Sequence, residues 1–113
     1  FALDHLVAIV DRNNLCVGGC TEDVMPLEPL ADKWRAFGWR VHPVNGHDMA
    51  GILDTFATVG ESRGAPNVVI AETIKGCGVS FMAGKREWHG HPICDAEFQK
   101  AMAELGGACE CTE

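Results

Sequence analysis

The sequence predicts an α/β fold, in which a parallel sheet has helices packed on it. Two observations support this prediction. Apolar runs suited to buried strands lie at residues 5–10 and 67–72, and they alternate with segments whose apolar residues recur at helical spacing, 30–37 and 52–59. Strands that alternate with helices in this order usually lie parallel in one sheet, and the crossovers that join them are right-handed. A chain of 113 residues holds one small domain.

The first strand, residues 5–10, runs directly into a polar cluster that begins at Asp11. Its continuous apolar run predicts a strand buried on both faces. Open parallel sheets bind ligands at the carboxyl ends of their strands, so Asn13 is a candidate ligand. Its amide oxygen and the carbonyls of the turn suit a hard cation such as Mg²⁺, held together with a phosphorylated ligand. The alternative is that Asn13 and Asn14 only form a turn.

A glycine-containing loop at residues 16–21 follows, and Pro29 suits the first position of a helix. The apolar stripe of this helix comprises Leu30, Trp34 and Phe37. Gly38 ends the helix. Residues 39–44 predict a short strand that is weakened or ended by Pro43.

Asp48 is available to cap the next helix. The apolar face of that helix comprises Ile52, Phe56 and Val59. Residues 67–72 predict the clearest second buried strand, and residues 79–94 predict a long loop of the kind that often carries function. Asp95 is predicted to cap a last helix, with Phe98, Met102 and Leu105 on one face. The domain is therefore expected at residues 1–105, followed by a frayed tail at 106–113.

Composition excludes some classes of protein. The net charge is −7, and no stripe of Lys and Arg is present, which argues against a nucleic-acid surface. No apolar run approaches the ~20 residues that span a bilayer. The first residues lack the features of a secretory signal, so a cytoplasmic location is expected. The chain opens almost directly on a strand and without Met, which suggests a fragment or a missing amino-terminal portion.

The six cysteines contain no CxxC pair. They are Cys16, Cys20, Cys77, Cys94, Cys109 and Cys111. Zinc sites usually draw on tighter pairs, so free and mostly structural thiols are expected, with disulfides or a metal cluster as alternatives. Cys77 lies close to Lys75, which could activate its thiol, but a buried thiol is the preferred interpretation.

The loops that follow the predicted strands should meet at one edge of the sheet. The segment Lys75-Gly76-Cys77-Gly78 lets a cation and open backbone approach an anion, and the loop that carries His89 begins at the same edge. Together with Asn13 they predict a site for a diphosphate and Mg²⁺. The alternatives are a solvated Lys75 and a His89 that only packs beside Trp88. The histidines without a partner pattern, which are expected to be structural, are His5, His42 and His47.

Several of these segments closely resemble transketolases, especially the amino-terminal subunit of the split bacterial form. The resemblance begins with Leu3-Asp4-His5-Leu6-Val7-Ala8-Ile9-Val10-Asp11-Arg12-Asn13 and continues to residue 105. Its other segments are 21–30, 33–39, 46–48, 75–82 and 87–90. Because these motifs occur together and in this order, the resemblance is specific.

The resemblance implies the carboxyl-terminal part of a thiamine diphosphate-binding domain. In that family the residue matching Asn13 binds Mg²⁺ through its side chain and contacts the cofactor diphosphate. The residue matching Leu15 gives a backbone carbonyl to the metal, and the residue matching Lys75 lies by the cofactor. The residue matching His89 contacts the diphosphate and the donor sugar and assists proton transfer, which makes His89 the implied catalytic residue.

The resemblance also implies parts that this chain lacks. The GDG segment that supplies an Asp ligand to the metal would precede residue 1, and the glutamate that activates the cofactor belongs to a pyrimidine-binding domain. The chain further departs from the family at four positions, which are Gly18, Cys20, Asn45 and His91. We therefore expect a partner subunit or domain of the pyrimidine-binding type, in a dimeric or heterotetrameric assembly.

The implied reaction is transfer of a two-carbon ketol unit between sugar phosphates, with thiamine diphosphate and Mg²⁺ as cofactors. The chain alone is expected to be inactive and to bind the cofactor weakly. The alternatives are a non-catalytic remnant or interaction fragment of the same fold, and a zinc module ligated by cysteines. Stoichiometric zinc would indicate the zinc module.

Overall fold

The computed structural model describes residues 3–106. Five strands and four helices follow one another in chain order. They are β1 (Val7–Arg12), β2 (Leu15–Cys16), β3 (Gly19–Cys20), α1 (Thr21–Val24), α2 (Leu30–Ala36), β4 (Arg40–Asn45), α3 (Met49–Glu61), β5 (Asn67–Glu72) and α4 (Asp95–Glu104). A single 3₁₀ turn, Arg86–His89, lies between β5 and α4. Residues 107–113, which include most of the predicted tail, lie outside the described residues.

The main sheet has the order β1-β5-β4, and all its strands are parallel. The register aligns the strand ends, because Arg12 and Asn45 both lie opposite Glu72. The loops that leave β1, β4 and β5 therefore start side by side at one edge of the sheet. Both α2 and α3 pack against β4. The prediction of a parallel sheet with helices packed on it is confirmed.

Burial differs sharply between the two apolar strands. In the central strand β5, Val68 is fully buried and Val69 is 2% exposed. In β1, which lies at the sheet edge, Ile9 is 63% exposed and Val7 is 38% exposed. Burial of β1 on both faces, as the sequence predicted, is therefore wrong for residues 3–106. The reason is that α2 and α3 pack against β4, whereas β1 lies at the opposite edge of the sheet with the face of Val7 and Ile9 uncovered.

The helix predicted after Pro29 is shorter than its apolar stripe. Pro29 is the N-cap of α2 and not its first helical residue, and Phe37 lies beyond the last turn with 82% exposure. Trp34 does pack, with its ring edge-on to that of Trp39 at 4.8 Å between centroids. The strand β4 continues through Pro43 to Asn45. An edge strand tolerates this proline because only one of its sides is paired.

Two other helix starts test the predicted caps. The side chain of Asp48 accepts a hydrogen bond from the N–H of Ala50 at 3.1 Å, which confirms Asp48 as the N-cap of α3. Val59 is the buried residue of that helix. The predicted cap Asp95 is wrong, because Cys94 is the N-cap of α4 and Asp95 is its first helical residue. Glu97 closes this end by accepting the N–H of Cys94 at 2.9 Å.

The loop at residues 16–21 contains secondary structure that the sequence did not predict. Strands β2 and β3 form a two-stranded antiparallel hairpin, in which Leu15 lies opposite Cys20. Within residues 3–106, no helix is both long enough and apolar enough to cross a membrane.

Candidate functional site

Polar residues from three loops meet at the carboxyl edge of the sheet. These are the loop after β1, the loop after β5 and the 3₁₀ turn. Together with the β2–β3 hairpin they surround a cavity of about 320 Å³. Its lining consists of Asn13, Leu15, Cys16, Val17, Lys75, Arg86 and His89. The structure thus brings together all four residues that the sequence singled out: Asn13, Leu15, Lys75 and His89. Their roles toward a ligand stay predictions.

Asn13 stands directly after β1, and its side chain shapes the turn there. Its Oδ1 accepts the N–H of Leu15 at 3.0 Å, and its Nδ2 donates to Asp11 Oδ1 at 3.3 Å. Asn14 adopts a positive φ of 63°, a conformation that Asn tolerates better than most residues. The turn interpretation and the ligand interpretation are compatible, because an amide oxygen has two lone pairs and only one is used here.

Leu15 is positioned by the hairpin. Leu15 pairs with Cys20. One residue further from the hairpin turn, the N–H of Thr21 donates to the carbonyl of Asn14 at 3.0 Å and adds to this pairing. The segment that follows β3 is in turn tied to the end of β1. The order of the backbone around Leu15 therefore depends on contacts to residues 21–28.

Arg12 makes most of these contacts, and no pattern in the sequence singles it out. It is 7% exposed. Its guanidinium donates to Thr21 Oγ1 at 2.8 Å, to Glu22 Oε1 at 2.8 Å and to Glu28 Oε1 at 2.9 Å. A buried guanidinium requires such partners, because its charge and its five donors lose their hydration on burial. Arg12 thereby fastens the segment after the hairpin to the strand that carries Asn13.

The two carboxylates of this cluster are held ionised mainly by backbone groups. The N–H of Leu27 donates to Glu22 and lowers the pKa of that carboxyl below its ordinary value, with Arg12 as a further cause. The N–H of Leu30 lowers the pKa of Glu28 in the same way, and the hydrogen bond from Arg12 adds to it. Both carboxylates therefore keep their negative charge opposite Arg12 at neutral pH.

Lys75 lies in the loop after β5, and its backbone is fixed by a close turn. Its carbonyl accepts the N–H of Gly84 at 2.8 Å. Gly76 has φ 69°, and a Cβ at this position would come within 2.9 Å of the Met82 backbone. Among residues 3–106, no acidic side chain forms a salt bridge with Lys75. Its ammonium group is therefore available for an anion in the cavity.

The sequence left His47 as structural, but the structure places it beside the site. His47 Nε2 accepts the N–H of Ile74 at 2.7 Å, immediately before Lys75. The N–H of Gly46 donates to the carbonyl of Glu72 at 2.8 Å. A Cβ on Gly46 would lie 2.4 Å from Thr73 Cγ2, so only glycine permits this approach. The signal that could have found His47 is its place in the Gly46-His47-Asp48 segment, at the end of β4.

A second, open cleft lies at the same edge of the sheet, and Cys77 is one of the residues that line it. This cleft of about 470 Å³ is shared by Asp11, Asn13, His47, Lys75 and Cys77, among others. Cys77 is exposed, so the preferred interpretation of a buried thiol is wrong. It lies in a surface turn and not in the core. Cys16, Cys20, Cys77 and Cys94 are free thiols.

His89 is the last residue of the 3₁₀ turn, and an aromatic group supports that turn. Trp88 Nε1 donates to the carbonyl of Phe81 at 3.1 Å, and its ring meets the Phe81 ring edge-on at 5.2 Å between centroids. The ring of His91 packs on Trp88 at 4.6 Å. The packing beside His89 is thus made by Trp88, while His89 itself lines the cavity.

The chemistry of the cavity fits an anion held with a hard cation. Asn13 and Leu15 line the cavity, and an amide oxygen and a backbone carbonyl are oxygen ligands of the kind that a hard cation such as Mg²⁺ accepts. Lys75, Arg86 and His89 supply N–H groups that suit phosphate oxygens. In the described part of the chain, no three His, Cys, Asp or Glu side chains converge to hold a metal. Cys109 and Cys111 lie outside that part.

Comparison with known proteins matches nearly the whole chain to one protein family. Residues 1–111 match the family described as "Transketolase, thiamine diphosphate binding domain". The chain is 43% identical over 111 residues to an apulose-4-phosphate transketolase subunit of Phocaeicola vulgatus, a match that covers 97% of this chain and 39% of that protein. It is 41% identical over 103 residues to the 6-deoxy-6-sulfo-D-fructose transketolase subunit SqwG of Clostridium sp., a match that covers 91% of this chain and 38% of that protein.

Solved structures agree with these sequence relatives. The transketolase of Campylobacter jejuni superposes with a TM-score of 0.85 at 28% identity, over 93% of this chain and 16% of that one. The transketolase of Leishmania mexicana gives 0.84 at 27% identity, with the same two shares. The chain therefore spans about two-fifths of the subunits that it matches in sequence, and a smaller share of the transketolases that it matches in structure.

Proposed function

Because this chain belongs to the family of transketolase thiamine diphosphate-binding domains, we propose that it is part of a transketolase-like enzyme. The enzyme transfers a two-carbon ketol unit between sugar phosphates and uses thiamine diphosphate and Mg²⁺. One observation supports this proposal most directly: Asn13, Leu15, Lys75 and His89 line one cavity. Asn13 and Leu15 lie close to one another after β1, whereas Lys75 and His89 come from positions about 60 or more residues later in the chain. Together they offer the oxygen and N–H groups that a diphosphate and its cation require.

In this proposal the residues of the cavity hold the diphosphate end of the cofactor. The Asn13 side chain and the Leu15 carbonyl would hold Mg²⁺ through oxygen, and the Lys75 ammonium would hold the diphosphate by its charge. His89 would contact the diphosphate and the donor sugar, and its imidazole would assist proton transfer to or from the sugar. When bound, thiamine diphosphate supplies the thiazolium carbon at which the ketol unit is carried.

The assembly is part of the same proposal. The relatives are named as subunits, which supports a second polypeptide that contributes the pyrimidine-binding part. This chain alone is inactive in the proposed arrangement, because the group that activates the cofactor belongs to that second part. Dimeric or heterotetrameric assembly and a cytoplasmic location belong to the proposal as well.

Calorimetry with thiamine diphosphate and Mg²⁺ tests the site. Wild type should bind weakly, and Asn13→Ala should lose about tenfold or more in affinity, because it removes a metal ligand. Asn14→Gly is the matched control. It removes the side-chain amide of Asn14, next to Asn13, and Gly keeps the positive φ of that position. Equal binding by wild type and Asn13→Ala would remove Asn13 from the site.

A second candidate is a non-catalytic fragment that binds another protein through the same fold. The exposed apolar face of β1, where Ile9 is 63% exposed, favours contact with further protein. This candidate predicts a folded chain that associates with a protein partner and shows no heat of binding with thiamine diphosphate and Mg²⁺. The enzyme proposal predicts both association and cofactor binding.

A further inference from the structure

One lining residue of the candidate cavity, Arg86, joins two loops. Arg86 is the first residue of the 3₁₀ turn that ends at His89. Its guanidinium Nη1 donates to the carbonyl of Gly18, at the tip of the β2–β3 hairpin, at 2.8 Å. This single bond joins two loops that are 68 positions apart in the chain. It therefore connects the hairpin that begins at Leu15 to the turn that presents His89.

Two adjacent glycines lie in the part of the hairpin to which this guanidinium bonds. Gly19 has φ 146°, and a Cβ placed on it would lie 3.5 Å from Arg86 Nη1. Gly18 is also confined, because a Cβ there would lie 3.2 Å from Val24 Cγ2. The planar guanidinium bonds directly to the backbone carbonyl of Gly18.

The opposite side of the 3₁₀ turn is fastened separately. Trp88 Nε1 bonds to the carbonyl of Phe81, so the turn is held at Trp88 on one side and at Arg86 on the other. Within the described residues, Arg86 makes the hydrogen bond that links the turn to the hairpin. Without it, the 3₁₀ turn would lose its hydrogen bond to the hairpin and keep the Trp88 contact.

The charge of Arg86 is partly balanced by its neighbour. Glu87 Oε1 lies 3.5 Å from Arg86 Nε, and the side chain of Arg86 is 50% exposed. A half-exposed cation that is shared between a carboxylate and a backbone carbonyl is less suited to direct capture of a diphosphate than Lys75, which forms no salt bridge within residues 3–106. Its geometry points to a link between loops.

We propose that Arg86 is a positioning residue, which holds His89 at the cavity by fastening the 3₁₀ turn to the β2–β3 hairpin. The importance of this link for cofactor binding rests on the proposed function. The link itself does not, because it concerns the order of His89 in the protein without a ligand. The two parts are therefore tested separately.

The first test needs no cofactor. Nuclear magnetic resonance of the His89 side chain is measured in wild type, Arg86→Met and Arg86→Lys. Arg86→Met keeps the length of the side chain and loses its donors, so the order parameter of the His89 ring should fall. Arg86→Lys keeps one donor and should restore part of the order. The matched control is Arg63→Met, which removes an arginine bond of 2.8 Å to the Gly60 carbonyl away from the cavity. Unchanged His89 order in Arg86→Met would overturn the proposal.

The second test is a double-mutant cycle on binding of thiamine diphosphate with Mg²⁺, using Arg86→Met and His89→Ala. Arg86→Met should weaken binding about 3- to 10-fold in wild type, as expected for loss of one hydrogen bond. It should weaken binding far less in His89→Ala, because a positioning residue acts through the residue that it positions. Equal losses in both backgrounds would contradict positioning and indicate direct contact. If wild type binds no cofactor, the proposed function fails, and the order of His89 decides the inference alone.

Discussion

The loop that follows β1 and the loop that follows β5 start at the same edge of the sheet, but different interactions hold them there. The β1 loop is anchored through side chains, because Arg12 joins Thr21, Glu22 and Glu28 in one polar cluster. The β5 loop is anchored through its backbone, with Gly76 pressed against Met82 and the Lys75 carbonyl bonded to Gly84. One half of the candidate site thus depends on charge and the other on the absence of a side chain.

This difference decides which changes should damage each half. A charge-based anchor fails when its central cation is removed or when its carboxylates are protonated. A glycine-based anchor fails when a Cβ is added. Each half therefore has its own disruptive change, and control residues of similar chemistry lie elsewhere in the chain.

The largest effect is expected from Arg12→Met. The change removes the cation that all three acceptors share, and we expect a loss of about 3 kcal/mol in the free energy of unfolding. Urea unfolding measures it. Arg35→Met is the matched control, because Arg35 makes an exposed pair with Asp32 at 2.7 Å, and exposed pairs contribute about 0.5 kcal/mol. Equal losses in the two variants would show that the Arg12 cluster does not anchor the β1 loop.

The next effect is expected from Gly76→Ala. At φ 69° alanine is strained, and its Cβ would lie 2.9 Å from the Met82 backbone, so we expect a loss of about 2 kcal/mol. Gly64→Ala is a close control. Gly64 has φ 85°, but no described atom lies within 4 Å of its Cβ position, so this variant should lose only about 1 kcal/mol. Thermal unfolding separates the contact from the conformational strain. A loss no greater than that of Gly64→Ala would contradict the close approach.

The smallest effect is expected from pH. The folded-state pKa of Glu22 and of Glu28 is lowered, first by the N–H groups of Leu27 and Leu30. In the pH range just below the ordinary value of 4.5, the unfolded state binds more protons than the folded state. The stability that these carboxylates contribute is therefore complete above that value and is lost as pH falls through the lowered pKa values.

Urea unfolding from about pH 6 to about pH 3 measures this dependence. Glu97 and Glu104 also have lowered pKa values and contribute in the same range, so the whole curve does not isolate the cluster. The variant Glu22→Gln/Glu28→Gln does so, because its curve should be flatter than that of wild type. A curve of unchanged slope would mean that these two carboxylates do not support the β1 loop.

Much of the fold followed from local patterns in the sequence. The strand at residues 67–72 matches β5 residue for residue, and Asp48 caps α3 as expected. The helix stripes were less accurate. Phe37 continues the helical spacing of Trp34, but Gly38 lies in a positive-φ conformation and the chain turns away before Phe37 can pack. Spacing describes a face of a helix and does not specify where the helix ends.

The candidate site could be predicted only in part. Asn13, Lys75 and His89 were found because each carries suitable chemistry at the end of a predicted strand or in a long loop. Arg12 and Arg86 were missed because their partners lie far away in the chain. No sequence pattern indicates that Arg12 will meet Glu28 or that Arg86 will meet Gly18.

The sequence by itself determined the order of the three main-sheet strands and of helices α2, α3 and α4, the turn after β1 and the residue types available for a phosphate site. These features depend on neighbours a few positions apart, through side-chain periodicity and backbone preference. The tertiary structure decided which apolar strand is buried, since Val69 lies in a central strand and Ile9 in an edge strand. It also decided how the β2–β3 hairpin is joined to the 3₁₀ turn, because burial and the Arg86 bond arise only when distant segments come together.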